Sequence, residues 1–168
     1  MVVLLRVVIA AAIIGLLLFW MVGGGFSSPK ENLVQSVIGM CDGFNAQDAG
    51  DVLVHCSDNF RENEYFLDAS SFRGALLRIF FTQRDGADGS FLWRALVVEE
   101  EIQIELQGPE EEARVATVSV PVRFVKSKSP QGRVVWTLRI DGLAQKEPDG
   151  RWRFIEASFK TISGRRPF

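Results

Sequence analysis

Polar positions are nearly absent from the start of the chain. From Met1 to Val22 the one charged side chain is Arg6, and the apolar run breaks at Gly23-Gly24-Gly25. At 1.5 Å per residue, Val7 to Val22 as a helix reaches about 24 Å. Val2 to Leu5, with Arg6 snorkelling, extend it to roughly the 30 Å of a hydrocarbon core. The pattern predicts a transmembrane anchor over 1–22, a linker over 23–27 and one globular domain over 28–168. A cleaved secretory signal is the alternative, because Arg6 and the glycines supply a basic start and small residues. The bulky end of the run (Phe19, Trp20, Met21) and the lack of an Ala-x-Ala site favour the anchor. Arg6 on one side, against Lys30 offset by Glu31 on the other, puts the amino terminus in the cytoplasm and the domain outside it. With cleavage the domain would be secreted or periplasmic.

Past the linker the apolar period becomes helical. Ser28-Pro29-Lys30-Glu31 reads as a capping box with proline at the first helical position. Leu33, Val34, Val37, Ile38, Cys41 and Phe44 then form one stripe, ended by Asn45 to Gly50. Asp51 is a candidate cap for a shorter helix carrying Val52, Leu53 and Cys56, closed by Ser57-Asp58-Asn59. Phe60 to Phe66 reads as a brief extended segment. A third helix starts near Ser70 or Ser71, with Phe72, Ala75, Leu76, Ile79 and Phe80 on one face, and ends at Asp85-Gly86.

From Phe91 the period is two. Leu96, Val98, Ile102, Ile104 and Leu106 share one face, opposite Glu99, Glu101, Gln103 and Glu105. A second run alternates Ala116, Val118, Val120, Val122 and Phe124, and a third Val134, Trp136, Leu138 and Ile140. The breaks are turn chemistry: Gly108-Pro109, Ser129-Pro130-Gln131-Gly132 and Pro148-Asp149-Gly150. A fourth run, Trp152 to about Ile162, changes phase. Trp152 and Phe154 lie on one parity, Ile155, Ala157 and Phe159 on the other, which predicts a bulge and a bend. One buried and one wetted face imply antiparallel hairpins. The expected class is α+β: three helices packed on a curved antiparallel sheet of at least four strands.

Composition narrows the function. With 19 basic and 21 acidic side chains, the chain has no basic field for a nucleic acid, and no nucleic-acid partner is expected. Thirteen phenylalanines and four tryptophans against one tyrosine suit a dry core or an apolar pocket. Cys41 and Cys56 read as buried thiols or as a disulfide, which would close a loop of about 15 residues and contribute roughly 3 kcal/mol. No CxxC or Cys/His spacing suggests a metal, and no cofactor is implied.

Several short segments carry a family likeness: Ala49-Gly50-Asp51 after the long helix, Asp58-Asn59-Phe60, Trp136-Thr137-Leu138-Arg139-Ile140, and Asp149-Gly150-Arg151-Trp152-Arg153-Phe154. On these the chain resembles the nuclear transport factor 2-like superfamily, which includes the ketosteroid isomerase and SnoaL-type polyketide cyclase families. The resemblance implies a cone-shaped domain with a pocket between the concave sheet and the helices. It also implies, commonly, a homodimer through the sheet. It leaves function open, because one fold hosts enzymes, binding modules and assembly parts.

Isomerase chemistry needs a carboxylate base in an apolar pocket with donors for an enolate. Glu100 falls on the parity of Val98 and Ile102 and is expected to point into the cone; Glu156 occupies the register-shifting part of the last strand. Either is a candidate base if withdrawn from water, with His55 assisting. The bland readings are an exposed acidic run for Glu100 and a packed histidine for His55. Tyr65, Trp93, Trp136 and Glu156 are the candidate ligand contacts. Arg123, Arg139 and Arg153 are expected in ion pairs with residues such as Glu101 and Asp141. The leading reading is a membrane-anchored extracytoplasmic domain that binds an apolar small ligand or a protein partner without catalysis. A lyase, isomerase or cyclase is the first alternative and an envelope assembly component the second.

Overall fold

The computed structural model describes residues 28–128 and 132–168. The apolar run and the linker lie outside the described residues. Among the described residues no helix is long and apolar enough to cross a membrane.

Helix α1, Pro29–Ala46, begins as its sequence dictates. The Glu31 amide donates to Ser28 Oγ at 3.1 Å, and the Ser28 amide donates back to Glu31 Oε2 at 2.8 Å. Gln47 ends it in the left-handed region. Helix α2 is shorter and earlier than its spacing suggests. It runs Ala49–Leu53, and Asp48 rather than Asp51 caps it, accepting from the Gly50 amide at 2.7 Å. Cys56, expected on this helix, instead begins strand β1, Cys56–Glu62. After the two-residue strand β2, Leu67–Asp68, the Asp68 carboxylate accepts from the Ser71 amide and starts helix α3, Ala69–Thr82.

Strands β3 (Trp93–Leu96), β4 (Gln103–Leu106), β5 (Val115–Lys126), β6 (Val134–Lys146) and β7 (Trp152–Gly164) follow. Seven strands among the described residues form one sheet in the order β2-β1-β7-β6-β5-β3, with β4 also paired to β5. The expectation of an antiparallel sheet is corrected at one ladder: β1 runs parallel to β7, so the sheet is mixed. A second correction concerns the run from Leu96 to Leu106. It is two short strands on the same partner, interrupted by a single 3₁₀ turn at Glu99–Glu101. From Leu96 to Gln103 the chain advances seven residues while the partner strand moves four, from Arg123 to Ser119, so the excess loops out.

The phase change in the last strand is a register shift. Leu143 pairs with Glu156 and Ala144 with Phe154, leaving Ile155 over as the bulged residue. The shift lets both Phe154 and Ala157 face the core. Gly142 makes room for the bend, since a Cβ there would come within 2.9 Å of the Phe154 ring. The sheet curls around an aromatic core. The Phe44 ring meets Phe80, Phe91 and Phe124 edge-on at 5.5 to 5.6 Å, and Phe124 stacks on Trp136 at 4.9 Å.

Candidate functional site: an apolar cavity in the cone

Helices α1 and α3 close over the concave face of the sheet without filling it. A cavity of about 270 Å³ remains between Val37, Met40 and Phe44 of α1, Phe72, Leu76 and Ile79 of α3, and the inward side chains of β5, β6 and β7. The spacing that makes each helix amphipathic also makes its half of this wall, and the alternation of β5 and β6 supplies the floor through Val118, Val120, Val122, Leu138 and Ile140.

Polar groups in the wall are turned away from the space. The Cys41 thiol donates to the Ala95 carbonyl at 3.4 Å, and the Trp136 indole N–H donates to Thr161 Oγ1 at 3.0 Å. Burial, and then the charge of Asp42, push the Cys41 thiol above its ordinary value.

Two polar residues stand where the cavity opens, because both line it and both are exposed: Tyr65 and Arg166. Tyr65 is placed by a buried carboxylate. Glu62 is 1% exposed, and its two oxygens accept from the amides of Glu64 at 2.8 Å and Tyr65 at 2.7 Å. This folds the β1–β2 turn and leaves Phe66 at positive φ and 89% exposed. Arg166 is placed by the tail after β7. Gly164, at φ 77°, turns the chain against the Val135 carbonyl, where a side chain would not fit. The Phe168 ring then lies against Phe124 and Trp136, both at 5.6 Å. Arg166 Nε donates to the Phe168 main-chain oxygen at 2.6 Å, and its guanidinium carbon lies 5.1 Å from the centre of the Tyr65 ring.

Of the residues expected at a site, Tyr65 and Trp136 line the cavity. Trp93 does not; it is buried in the core, its indole N–H donating to Gln83 Oε1 at 3.1 Å. Glu100 does not point into the cone, because the 3₁₀ turn removes it from the strand's alternation and leaves it exposed. Glu156, beside the bulge, is exposed as well and accepts from the Asn63 amide nitrogen. His55 is half-buried outside the cavity wall, against Gly39 of α1, and burial lowers its affinity for a proton while Asp51 opposes that shift. The disulfide reading is also corrected. Cys41 and Cys56 are free thiols, because Cys41 is engaged with β3 while Cys56 sits in the β1–β7 ladder.

The arginines expected in ion pairs have them. Arg123 meets Glu101 at 2.7 Å, Arg139 meets Asp141 at 3.1 Å, and Arg153 pairs with Glu147 and Asp149. Ser119 also donates to Asp141 at 2.6 Å, so the outward face of the sheet's centre is polar. Among the described residues no three His, Cys, Asp or Glu side chains come together to hold a metal.

Reading the sequence for chemistry missed Glu62 and Arg166. Glu62 carried a signal, since it shares parity with the buried Phe60 in a segment expected to be extended. Arg166 lies in a tail with no periodicity, where the sequence holds no mark of what it approaches.

No protein-family model matches the chain, and no curated protein matches it. Solved structures do. A nuclear transport factor 2-like protein with a cystatin-like fold from Novosphingobium aromaticivorans superposes with a TM-score of 0.60 at 10% identity, covering 80% of this chain and 82% of that one. A protein of unknown function with a cystatin-like fold from Nostoc punctiforme gives 0.59 at 10% identity, over 77% and 88%. A ketosteroid isomerase-like protein from Erwinia carotovora atroseptica gives 0.52 at 17% identity, over 77% and 92%. At such identities the likeness speaks for architecture and not for activity. The domain has the cystatin-like, nuclear transport factor 2-like fold.

Proposed function

We propose that the domain binds an apolar small molecule in the cone cavity and carries out no chemistry on it, while Met1–Val22 holds it at a membrane with the domain outside the cytoplasm. One observation carries the binding reading: the cavity wall is hydrocarbon almost throughout, and none of Glu100, Glu156 and His55 belongs to it. A proton-transfer mechanism needs its base within hydrogen-bond reach of the reacting atom. Here the carboxylates with the right sequence signature stand in water outside the cone. The likeness of one structural neighbour to ketosteroid isomerase belongs to that protein, and among the described residues the cavity lining holds no acid–base pair of the kind such chemistry requires. The anchoring half of the proposal rests on the length and polarity pattern of the leader.

Burial of an alkyl chain supplies about 0.8 kcal/mol per methylene. The several kcal/mol lost on association are set against this gain, so affinity is expected to rise with chain length. Met40 is a direct reporter, because it lines the cavity and the chain holds only three methionines. In full-length protein carrying ¹³C-methyl methionine in nanodiscs, decanol is expected to shift the Met40 resonance saturably. Ala75→Phe, which fills the cavity from α3, is expected to weaken that response at least ten-fold with the fold retained. Met40 insensitive to decanol up to its solubility limit contradicts the proposal.

A further inference from the structure

We infer that the cone holds an aryl-binding subsite beside Phe124 and Trp136, occupied in the free protein by the chain's own Phe168, and that a ligand with an aromatic end takes this place. The inference rests on the binding reading above and adds the chemical class of the ligand.

Phe168 belongs to no strand or helix, yet it lines the cavity together with Phe124 and Trp136. Its ring meets three aromatic neighbours edge-on: Phe124 at 5.6 Å and 77°, Trp136 at 5.6 Å and 86°, and Trp93 at 6.4 Å and 65°. Such crossings set the positive edge of one ring against the negative face of another. An alkyl group of the same bulk is buried equally well but has no quadrupole, so the three rings distinguish an aromatic occupant from an aliphatic one. The indole N–H groups of Trp93 and Trp136 are already given to Gln83 and Thr161, so the subsite asks for no polar substituent. The chain itself shows that a phenyl group fits.

This occupant is weakly tied. The strands that wall the cone are held by backbone ladders, whereas 165–168 make no hydrogen bond and no ion pair with the rest of the described domain. Arg166 Nε bonds within the tail, to the Phe168 main-chain oxygen, and its guanidinium reaches the domain through the Tyr65 ring. Phe168 is therefore seated by ring contact and burial. A ligand's own ring replaces both without stranding a buried backbone donor or acceptor. Space points the same way. The cavity beside the seated ring is about 270 Å³, just under the usual range of about 300–1,000 Å³ for small-molecule pockets. Departure of the ring adds its own volume.

The test uses full-length protein in nanodiscs with 4-phenylbutanol and decanol, which have equal carbon counts but differ in the aromatic end. The Met40 methyl reports binding, and 4-fluorophenylalanine in place of Phe168 reports the tail through its ¹⁹F resonance. Saturating 4-phenylbutanol is expected to move that resonance to the position it takes in the urea-unfolded chain, while decanol leaves it in place. In Phe168→Ala no ring has to leave. Affinity for 4-phenylbutanol is then expected to rise at least five-fold, and that for decanol less than two-fold. The indole N–H signals of Trp93 and Trp136 report whether the variant keeps its fold. Three results overturn the aryl subsite while the cavity reading stands: a ring that stays seated under saturating 4-phenylbutanol, a ring that decanol expels equally well, or a folded Phe168→Ala with no gain for 4-phenylbutanol. A Met40 methyl that responds to neither ligand overturns both.

Discussion

Gly39 of α1 and His55 meet so closely that a Cβ on Gly39 would stand 2.5 Å from His55 Nε2 and 3.1 Å from Cε1. The absence of a side chain at this point lets the imidazole lie against the helix, and it accounts for a glycine in the interior of an 18-residue helix. Gly39→Ala gains about 0.5–1 kcal/mol of helix propensity but overpacks the contact, at about 1–3 kcal/mol. A net loss of stability is expected, read as a lower urea midpoint. His55→Ala in the same chain relieves the clash, so the double variant is expected to be more stable than the sum of the two single effects predicts.

The same packing sets a pH dependence. Burial lowers the pKa of His55 below its ordinary 6.5, with Asp51 partly offsetting the shift. The unfolded chain therefore takes up a proton at higher pH than the folded one. Stability is highest above 6.5 and falls as pH drops from there through the folded value, below which the loss levels off. His55→Gln is expected to flatten this part of the stability–pH curve, measured by urea midpoints between pH 8 and pH 5. An unchanged slope would place the titrating group elsewhere.

Glu62 is a buried carboxylate whose two oxygens each accept one backbone amide. Glu62→Gln keeps the shape but turns an NH₂ toward one of those amides, donor against donor, at a cost of about 1–3 kcal/mol. The urea midpoint is expected to fall accordingly.

The thiols are expected to be unreactive. Burial pushes Cys56 up to about 12, and Cys41 is raised as well, so little thiolate exists near neutral pH. Ellman's reagent at pH 8 should label the folded chain slowly and titrate two thiols in denaturant. An intact mass two hydrogens short would show the disulfide instead.

Local signals in the sequence proved the legible ones. The Ser28 capping box, the α3 stripe from Phe72 to Phe80 and the slip at Ile155 each depend on residues within a turn or a few positions of one another. What depended on a distant partner was not legible. Cys56 fits a helical stripe after Val52, yet pairing with Phe154 draws it into a parallel ladder. Glu100 fits the alternation of Val98 and Ile102, yet β5 takes up only the two ends of that run and the middle curls into a turn. The two candidate bases left the cone for the same reason: parity predicts a side only while the ladder is unbroken. Tyr65 and Trp136, which line the cavity, stand out in the sequence as the domain's one tyrosine and as an aromatic in a core strand. Arg166 is brought to the mouth by Gly164 and Phe168 through contacts no spacing encodes.

A crystal structure of the full-length protein grown with saturating decanol tests the central claim most directly. An alkyl chain is expected between Phe72 of α3 and Val120 and Leu138 of the sheet, with Glu100 and Glu156 still outside in water. A cone that stays empty, or one whose aromatic side chains have moved in to fill it, would contradict the account.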